Sequence, residues 1–450
     1  MSVVCRLVLV CDVGVTQVLA ILGQDWVPGP YVHEYTDHMG RVVHTDAASR
    51  ATNFPVNLAS RLFGEVNESS ARTRWSTKLL NRVWSSDGMP ASRAETSLVR
   101  AELLISAPNA VGGGDRPGVL ALHFKVTAPS FAEAVQVANL LARQRGGAGA
   151  SQLHGALTYG RLRTLHSDMC RGLAFPTDPG AAAETESTIY SMMQIDQMVV
   201  DGADPTVLSI PQAYSVASCQ DPDRLHASED ALDRALNAVV PLSRSWSALF
   251  LRHGAAFLAH TTMDDAFRRF METYFRTLYT DAVMLVRLQI QILRQTEVAI
   301  GKLLEDAATT THLGSVSKAF EDLDRQLVIN SARYWMRKSE SNAGNAIKII
   351  HSIQNAMSFD TRLDALDAQI DGLARISAAD AQRKYLDSQK KLTTVVTLMG
   401  SIAIPVTFAT DVYQLLGLPA TLTNIGGLVL GVVVLGGITW WGLRRLLIKS

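Results

Sequence analysis

The chain contains 450 residues, and 42 Lys+Arg balance 42 Asp+Glu, so the formal net charge is zero. This balance excludes a dedicated nucleic-acid-binding protein, which would carry a basic excess. The hydrophobic fraction of 47% excludes a disordered chain, and four cysteines exclude a disulfide framework. Charged residues make up 19%, below the roughly 25% of an average soluble domain, which indicates either a large core or a membrane part.

Residues 1–150 have the pattern of a cytoplasmic α/β domain. Strands are predicted at Leu7–Val10, Val99–Ile105 and Val119–Val126, where apolar and β-branched residues cluster. The glycine-rich stretch 112–118 lacks the ending of a phosphate-binding loop, so it predicts a hairpin connection between the last two strands. A capping box opens a predicted helix over Ser130–Gln144.

Residues 151–240 are predicted to form a mixed helical extension or a second subdomain, with a helix over Glu186–Val199. His33, His38 and His44 lie near acidic residues, but their spacing matches no metal-ligand pattern, so we expect exposed loop residues. His166 lies four residues before Cys170, but the sequence cannot show whether they meet in space. We therefore expect no enzyme, no bound cofactor or metal, and ordinary cysteine thiols.

Residues 241–391 are predicted to form long antiparallel stalk helices because proline is absent from Leu242 to Ile404. The helices are expected over Ser245–Asp306 and Ser315–Lys391, with a possible break near Ser339–Gly344. Apolar residues at helical spacing mark their buried faces: Leu278, Leu285, Leu288 and Ile292 on the first, and Phe320, Leu323, Leu327, Leu363, Leu366, Ile370 and Leu373 on the second. The second set is either an ordinary core face or an inter-subunit coiled-coil seam.

The tail from Leu392 to Leu443 contains a single charged residue, Asp411. Two apolar runs, 392–416 and 425–443, are each long enough for a helix that crosses a bilayer. Basic residues precede the first run and follow the second, whereas the loop between the two runs has none. We therefore expect two transmembrane helices in an inner or plasma membrane, with both termini in the cytoplasm.

Polar residues recur on one face of the first run at steps of three and four. The stripe has six members, of which five are polar: Thr393, Thr397, Ser401, Ile404, Thr407 and Asp411. Intramembrane polar groups face protein or water, so this stripe predicts a pore lining in a homo-oligomer, with Asp411, Tyr413 and Gln414 at the outer mouth. The alternative is that the hydroxyls bond to their own helix or join two helices. In the second run, Gly427 and Gly431 predict close helix packing.

The first run resembles the first transmembrane helix of the CorA-type magnesium transporters. The resemblance rests on Leu392-Thr393, on Pro405-Val406-Thr407-Phe408 and on Tyr413. It implies a CorA-like α+β membrane protein: a funnel-shaped homopentamer in which the first transmembrane helix lines the pore, and Mg²⁺ or another cation is the permeant or regulatory ion. Where the family continues with Gly-Met-Asn, this chain has Gln414-Leu415-Leu416.

Three functions are compatible with these features. The first is a CorA-like cation channel gated by its cytoplasmic domain. The second is a membrane effector of a bacterial defence or conflict system, in which a protein or small-molecule trigger at the N-terminal domain opens a poorly selective pore. The third is a non-conducting membrane-anchored scaffold. In each case the partners are the lipid bilayer and further copies of the chain, with no nucleic acid.

Overall fold

The computed structural model describes residues 2–15, 26–37, 39–63, 73–78, 80, 82–83, 94–106, 116–142, 170–171, 173–174, 189–199, 208–220, 227–259, 265–309, 313–334, 344–415 and single positions between 427 and 441. The chain divides into two compact units. The first, which we call the compact N-terminal unit, comprises residues 1–309 and 318–370. The second comprises residues 310–317 and 371–450.

The compact N-terminal unit is mixed α/β and is built on a large sheet. The described strands are β1 Ser2–Val15, β2 Trp26–Pro28, β3 Glu34–Thr36, β4 Val42–His44, β5 Arg74–Thr77, β6 Arg82–Val83, β7 Glu95–Ile105, β8 Arg116–Ala128, β9 Leu173–Ala174, β10 Ile189–Val199, β11 Val239–Pro241, β12 Trp246–Phe250 and β13 Gly254–Ala259. The main sheet runs β11-β12-β13-β10-β1-β8-β7-β5-β2, with β6 on β7 and β9 on β1, while β3 and β4 form a separate hairpin. Neighbouring strands are antiparallel except β10 and β13, which are parallel.

Ten α-helices lie within the described residues. They are α1 Ala47–Ala51, α2 Val56–Phe63, α3 Phe131–Ala142, α4 Ile210–Ala217, α5 Glu229–Asn237, α6 Asp265–Tyr274, α7 Thr280–Thr309, α8 Leu313–Tyr334, α9 Asn345–Ala356 and α10 Phe359–Leu415. A π-helical turn, Phe275–Tyr279, joins α6 to α7. Ser209 caps α4 through a capping box with Gln212, which satisfies backbone N–H groups at the helix start.

The two faces of the sheet differ because side chains alternate along each strand. On β1, the odd-numbered residues from Val3 to Val15 belong to an apolar core that includes side chains of α3 and α4. The opposite face carries α7, since Asp12 accepts two hydrogen bonds from Arg287 on that helix. The compact N-terminal unit therefore has an apolar core on one side of these strands, and buried charged side chains among apolar ones on the other.

Several predicted elements are confirmed. The three predicted strands lie within β1, β7 and β8. β7 and β8 are antiparallel neighbours, as a hairpin connection requires, although the loop 107–115 is outside the described residues. The predicted helix after Ser130 is α3, and the Glu133 N–H donates to Ser130 Oγ at 3.2 Å. The predicted inward face of α7 is also confirmed, because Leu285, Leu288 and Ile292 are buried.

Two predicted helices are wrong. The segment Glu186–Val199 contains β10, a strand between β1 and β13 whose described side chains are buried on both faces. Such burial removes the apolar–polar alternation that distinguishes a strand in sequence. The predicted helix Ser245–Asp306 is wrong in its first part, where β12 and β13 lie. A proline-free apolar run suits a buried strand as well as a helix, so the absence of proline could not separate them.

The predicted helix Ser315–Lys391 consists of three helices, α8, α9 and α10. The expected break is confirmed in so far as α9 begins after Gly344; residues 335–343 are outside the described residues. A second, unpredicted break separates α9 from α10 at Ser358, whose φ is +53°. Across the side chains that the structure describes, no helix is long and apolar enough to cross a membrane.

Candidate functional site

Helix α10 carries all eight residues that we assigned to the pore and its mouth. Thr393, Thr397, Ser401, Ile404, Thr407, Asp411, Tyr413 and Gln414 are in helical conformation within it. The side chains of residues 401–415 are outside the described part of the chain. The Thr397 hydroxyl donates to the Thr393 carbonyl at 2.7 Å, so in the single chain this hydroxyl bonds to its own helix. That contact is one of the two alternatives that the sequence left open.

A group of apolar side chains on the same part of α10 is exposed in the single chain. Its members share the spacing i, i+3, i+4 and i+7: Leu392, Val395, Val396 and Met399. Their exposed fractions are 67%, 53%, 61% and 67%. We call this group the exposed apolar face of α10. Among the residues that the structure describes, nothing covers this face, and an apolar stripe of this kind is typical of a surface that contacts lipid or another chain.

The second predicted span is described only at single positions. Gly427 and Gly431 are helical and exposed, with no heavy atom within 4 Å of a Cβ placed on either. The rest of the span lies outside the described residues, so helix packing through these glycines stays a prediction.

The structure also contains an unpredicted group of charged side chains between the sheet and α7, which we call the buried charged layer. Its centre is formed by Arg50, Arg74, Glu102, His123 and Asp281, whose side chains are at most 3% exposed. Asp281 accepts hydrogen bonds from Arg50 Nε and Arg74 Nη2, each at 2.7 Å, and makes a second contact with Arg50. Arg74 Nη2 also lies 2.7 Å from Glu102 Oε2, and His123 Nε2 lies 3.0 Å from Glu102 Oε1.

Groups of opposite formal charge meet in this centre. Burial alone raises the pKa of Glu102, but Arg74 and the hydrogen bond from His123 outweigh it and hold that pKa well below its usual range. Burial lowers the pKa of His123, so the imidazole is neutral and donates through Nε2. Burial also raises the pKa of Asp281, and the contacts with Arg50 and Arg74 offset this only in part. The centre therefore places two arginines against two carboxyl groups.

A second ion pair continues the layer along α7. Arg287 donates from Nε and Nη2 to the Asp12 carboxylate on β1 at 3.1 and 2.6 Å. Arg294, two turns further along the helix, has Nη1 at 3.6 Å from the same carboxylate. Because Asp12 lies in the middle of the sheet, these contacts fix the position of α7 along β1.

A third group of charges occupies the other end of β1. Arg6 forms an ion pair with Asp196 on β10, and its Nη2 lies 3.1 Å from Glu272 Oε2 on α6. Burial raises the pKa of Asp196 to about 6, although Arg6 lowers it. This carboxylate therefore titrates close to the physiological range.

The arrangement of the layer determines what it can do chemically. A buried ion pair is strongly destabilising when one partner is removed, because an uncompensated charge remains. With side chains at most 3% exposed in its centre, the layer has no surface at which a substrate could react. It therefore fixes the register of α7 on the sheet, because movement of that helix would separate buried charges from their partners.

The histidines near the N-terminus have defined partners. His33 Nδ1 lies 2.8 Å from the Tyr31 hydroxyl, and burial lowers the pKa of His33 to about 4. His44 Nδ1 pairs with Glu34 Oε1 at 3.0 Å across the β3–β4 hairpin. Our expectation of exposed loop residues is thus wrong for His33, which is half-buried, and for the strand position of His44. His38 is outside the described residues, and among those described no three His, Cys, Asp or Glu side chains could share a metal ion.

All four cysteines are buried free thiols. Burial raises the pKa of Cys5 and Cys11 far above the ordinary value of a thiol, so neither is an activated nucleophile. His166 lies outside the described residues, so its distance from Cys170 is not tested.

Sequence reasoning missed the buried charged layer, although a signal was present. Asp12, Glu102 and His123 each interrupt an apolar run that reads as a strand. A polar residue at such a position predicts a buried partner, but the partners lie on other segments: Arg287 for Asp12, Arg74 for Glu102, and Glu102 for His123.

Comparison with known proteins adds no relative. The chain matches no protein-family model, and a comparison with curated proteins finds no match. The likeness to the CorA-type transporters therefore rests on the residues of the first predicted span.

Proposed function

We propose that the chain is a subunit of a CorA-like homo-oligomeric channel that passes cations through an inner or plasma membrane. The compact N-terminal unit, in the cytoplasm, would control its opening. One observation carries the proposal: the exposed apolar face of α10 lies beside the hydroxyl-bearing stripe on the same uninterrupted helix.

The two stripes have different directions around α10. At about 100° per residue, the exposed apolar face lies roughly 120° from the mean direction of the polar stripe. Burying each apolar side chain at its observed exposure stabilises the protein by about 1–2 kcal/mol. Lipid or a neighbouring copy would cover this face, while the polar stripe turns towards water.

A pore requires several copies, because two spans cannot enclose a channel. Closed rotational symmetry, as in the pentamer that the CorA resemblance implies, would bring one Asp411 from each copy to a ring. Such a ring of carboxylates attracts cations at the pore mouth. The single acid in the charge-free tail would then set the sign of the permeant ion.

A pair of threonine variants tests which face lines the pore. The full chain is reconstituted into liposomes, and Na⁺, K⁺ and Mg²⁺ fluxes are recorded. Thr397→Val removes a hydroxyl from the stripe and should lower flux several-fold. The matched control is Thr410→Val. Thr410 lies roughly 140° from Thr397 around the helix axis, so this variant should leave flux unchanged. Equal effects of the two variants would reject the pore-lining stripe.

A second candidate, the defence effector, is favoured by one sequence feature. Gln414-Leu415-Leu416 stand where the CorA-type filter has Gly-Met-Asn, so a pore built from this chain would lack that filter. Liposomes that leak monovalent ions, together with membrane depolarisation and growth arrest on expression, support the effector. Growth of a magnesium-uptake-deficient strain on low Mg²⁺ when it expresses the chain supports the transporter instead.

A further inference from the structure

A cleft opens on the compact N-terminal unit, away from the buried charged layer. It has a volume of about 790 Å³ and is formed by α4, α5, β11, the turn between β12 and β13, and α9. This volume falls within the range of roughly 300–1,000 Å³ that is typical of small-molecule sites. All of its lining residues belong to the compact N-terminal unit.

The formal charges on the cleft wall are positive. Arg234, Arg252 and His253 line it, and none of the described lining residues is Asp or Glu. Arg234 Nε donates to the Asp230 carbonyl of its own helix at 3.1 Å, and its two amino groups carry the remaining donors of the guanidinium. Both arginines are exposed, so an incoming anion can reach them. Planar guanidinium groups bind phosphate oxygens in pairs.

The other side of the cleft offers hydrogen-bond acceptors and aromatic surface. Helices α4, α5 and α9 all end there, and Ser218, Asn237 and Asn355 mark their last turns. Carbonyl groups at helix C-termini are acceptors with partial negative charge, which suits the amino groups of a nucleobase better than a bare anion. Tyr214, which is half-buried, supplies aromatic surface on which a base could stack.

We propose that this cleft binds a nucleoside phosphate. The phosphate lies against Arg234 and Arg252, and the base lies among the helix C-termini and beside Tyr214. An inorganic anion would use only the arginines, and an uncharged nucleoside would use only the base side. A ligand that carries both groups uses the whole wall.

The cleft is also connected to α10 through α9. Ser352, Asn355 and Ala356 of α9 line the cleft, and only Met357 and Ser358 separate α9 from the start of α10 at Phe359. The left-handed φ of +53° at Ser358 makes this junction a strained turn. A ligand that binds at the last turn of α9 would therefore change the position of the first turn of α10. We infer that the nucleoside phosphate gates the channel, and this second part rests on the proposed function.

Calorimetric titration of the full chain in detergent tests the binding site. AMP, GMP, CMP and UMP are the probes, with the matching nucleosides and inorganic phosphate as half-ligands. At least one mononucleotide should bind saturably, and its half-ligands at least tenfold more weakly. Arg234→Gln and Arg252→Gln should each weaken binding at least tenfold. Arg244→Gln, an exposed arginine in the β11–β12 turn outside the cleft, should not.

Two outcomes overturn the site: none of the four mononucleotides binds at millimolar concentration, or the two cleft variants keep wild-type affinity. Because both arginines are exposed, the variants should fold, and circular dichroism checks this. Flux in liposomes then tests gating. Wild-type flux should change at least threefold on addition of the bound nucleotide, whereas Arg234→Gln should keep basal flux and lose the response. Binding without any flux would refute the channel and leave the site; flux without nucleotide response would refute gating alone.

Discussion

Helices α7 and α10 both carry apolar side chains at helical spacing, but the single chain buries most of those on α7 and leaves the exposed apolar face of α10 open. On α7, Leu285 and Leu288 are at most 1% exposed, and Asp281 pairs with arginines inside the compact N-terminal unit. On α10, by contrast, Leu392 and Met399 are each 67% exposed. Folding of the single chain therefore buries this face of α7, whereas it leaves these side chains of α10 exposed. This contrast supports the proposed placement of α10 in a membrane.

The charges on the two helices differ in the same way. The ion pairs of α7 connect it to several strands at once, so they specify one position for the helix. The predicted span of α10 has one acid, Asp411, and no basic residue, so the chain supplies no partner for that carboxylate within the span. In the proposed channel, its charge would face the permeant ion.

The largest expected effect is the loss of a buried charge. Asp281→Ala removes the two-point carboxylate partner of Arg50 and leaves Glu102 to face two buried arginines, and should lower the free energy of unfolding by about 3–5 kcal/mol. Denaturant unfolding of the compact N-terminal unit, followed by circular dichroism of the full chain, measures this loss. Asp265→Ala, whose side chain is 84% exposed, is the control and should change stability by less than about 0.5 kcal/mol. Equal losses would show that the layer contributes no more than a surface pair.

The next effect depends on pH. The folded-state pKa of Asp196, about 6, lies above the 3.8 of an ordinary aspartate, so the folded chain binds the proton more tightly than the unfolded chain. The stability from this group is therefore complete below pH 4 and is lost as the pH rises to about 6. The loss amounts to about 3 kcal/mol. Melting temperatures across this range should fall less with pH in Asp196→Asn than in the wild type, and parallel curves would contradict the assignment.

Two glycines sharpen the contrast between packed and open surface. A Cβ on Gly254 would lie 2.5 Å from the Ser191 carbonyl oxygen, whereas one on Gly301 of α7 would meet nothing within 4 Å. Gly254→Ala should therefore destabilise the chain by about 1–3 kcal/mol. Gly301→Ala should stabilise it by about 0.5–1 kcal/mol because alanine favours the helix. Thermal unfolding compares the two, and a shared sign would contradict this account of the parallel β10–β13 contact.

The smallest expected effect on folding concerns α10. Val395→Ser with Met399→Ser should change the stability of the compact N-terminal unit by less than about 0.5 kcal/mol, because both side chains are exposed. The same change should reduce the membrane-bound fraction of the expressed protein. Val328→Ser on α8, at 61% exposure, is the control and should leave that fraction unchanged. An unchanged fraction in both would argue against lipid as the cover of α10.

Part of the fold could be predicted from sequence because its signals are local. The strand patterns of β1, β7 and β8 and the cap of α3 lie within a few residues. β10 could not be predicted in the same way, because its place in the centre of the sheet depends on distant strands. Its acid, Asp196, is stabilised by Arg6, which lies 190 residues away.

Some parts of the candidate site could likewise be predicted from the sequence, and others could not. The polar stripe of α10 follows from helical spacing alone, so its positions could be read before the structure. The buried charged layer and the cleft are assembled from segments that lie far apart in sequence. Arg50 and Asp281, for example, are 231 residues apart, and no local pattern links them.

Ion flux through liposomes containing wild type or Asp411→Asn tests the channel most directly. Asparagine keeps the size of the side chain and removes the charge that a pore-mouth ring would present to cations. We expect wild-type liposomes to pass cations in preference to chloride, and Asp411→Asn to lower both the cation flux and that preference at least tenfold. Wild-type liposomes without flux, or equal flux and selectivity in the variant, would contradict the account.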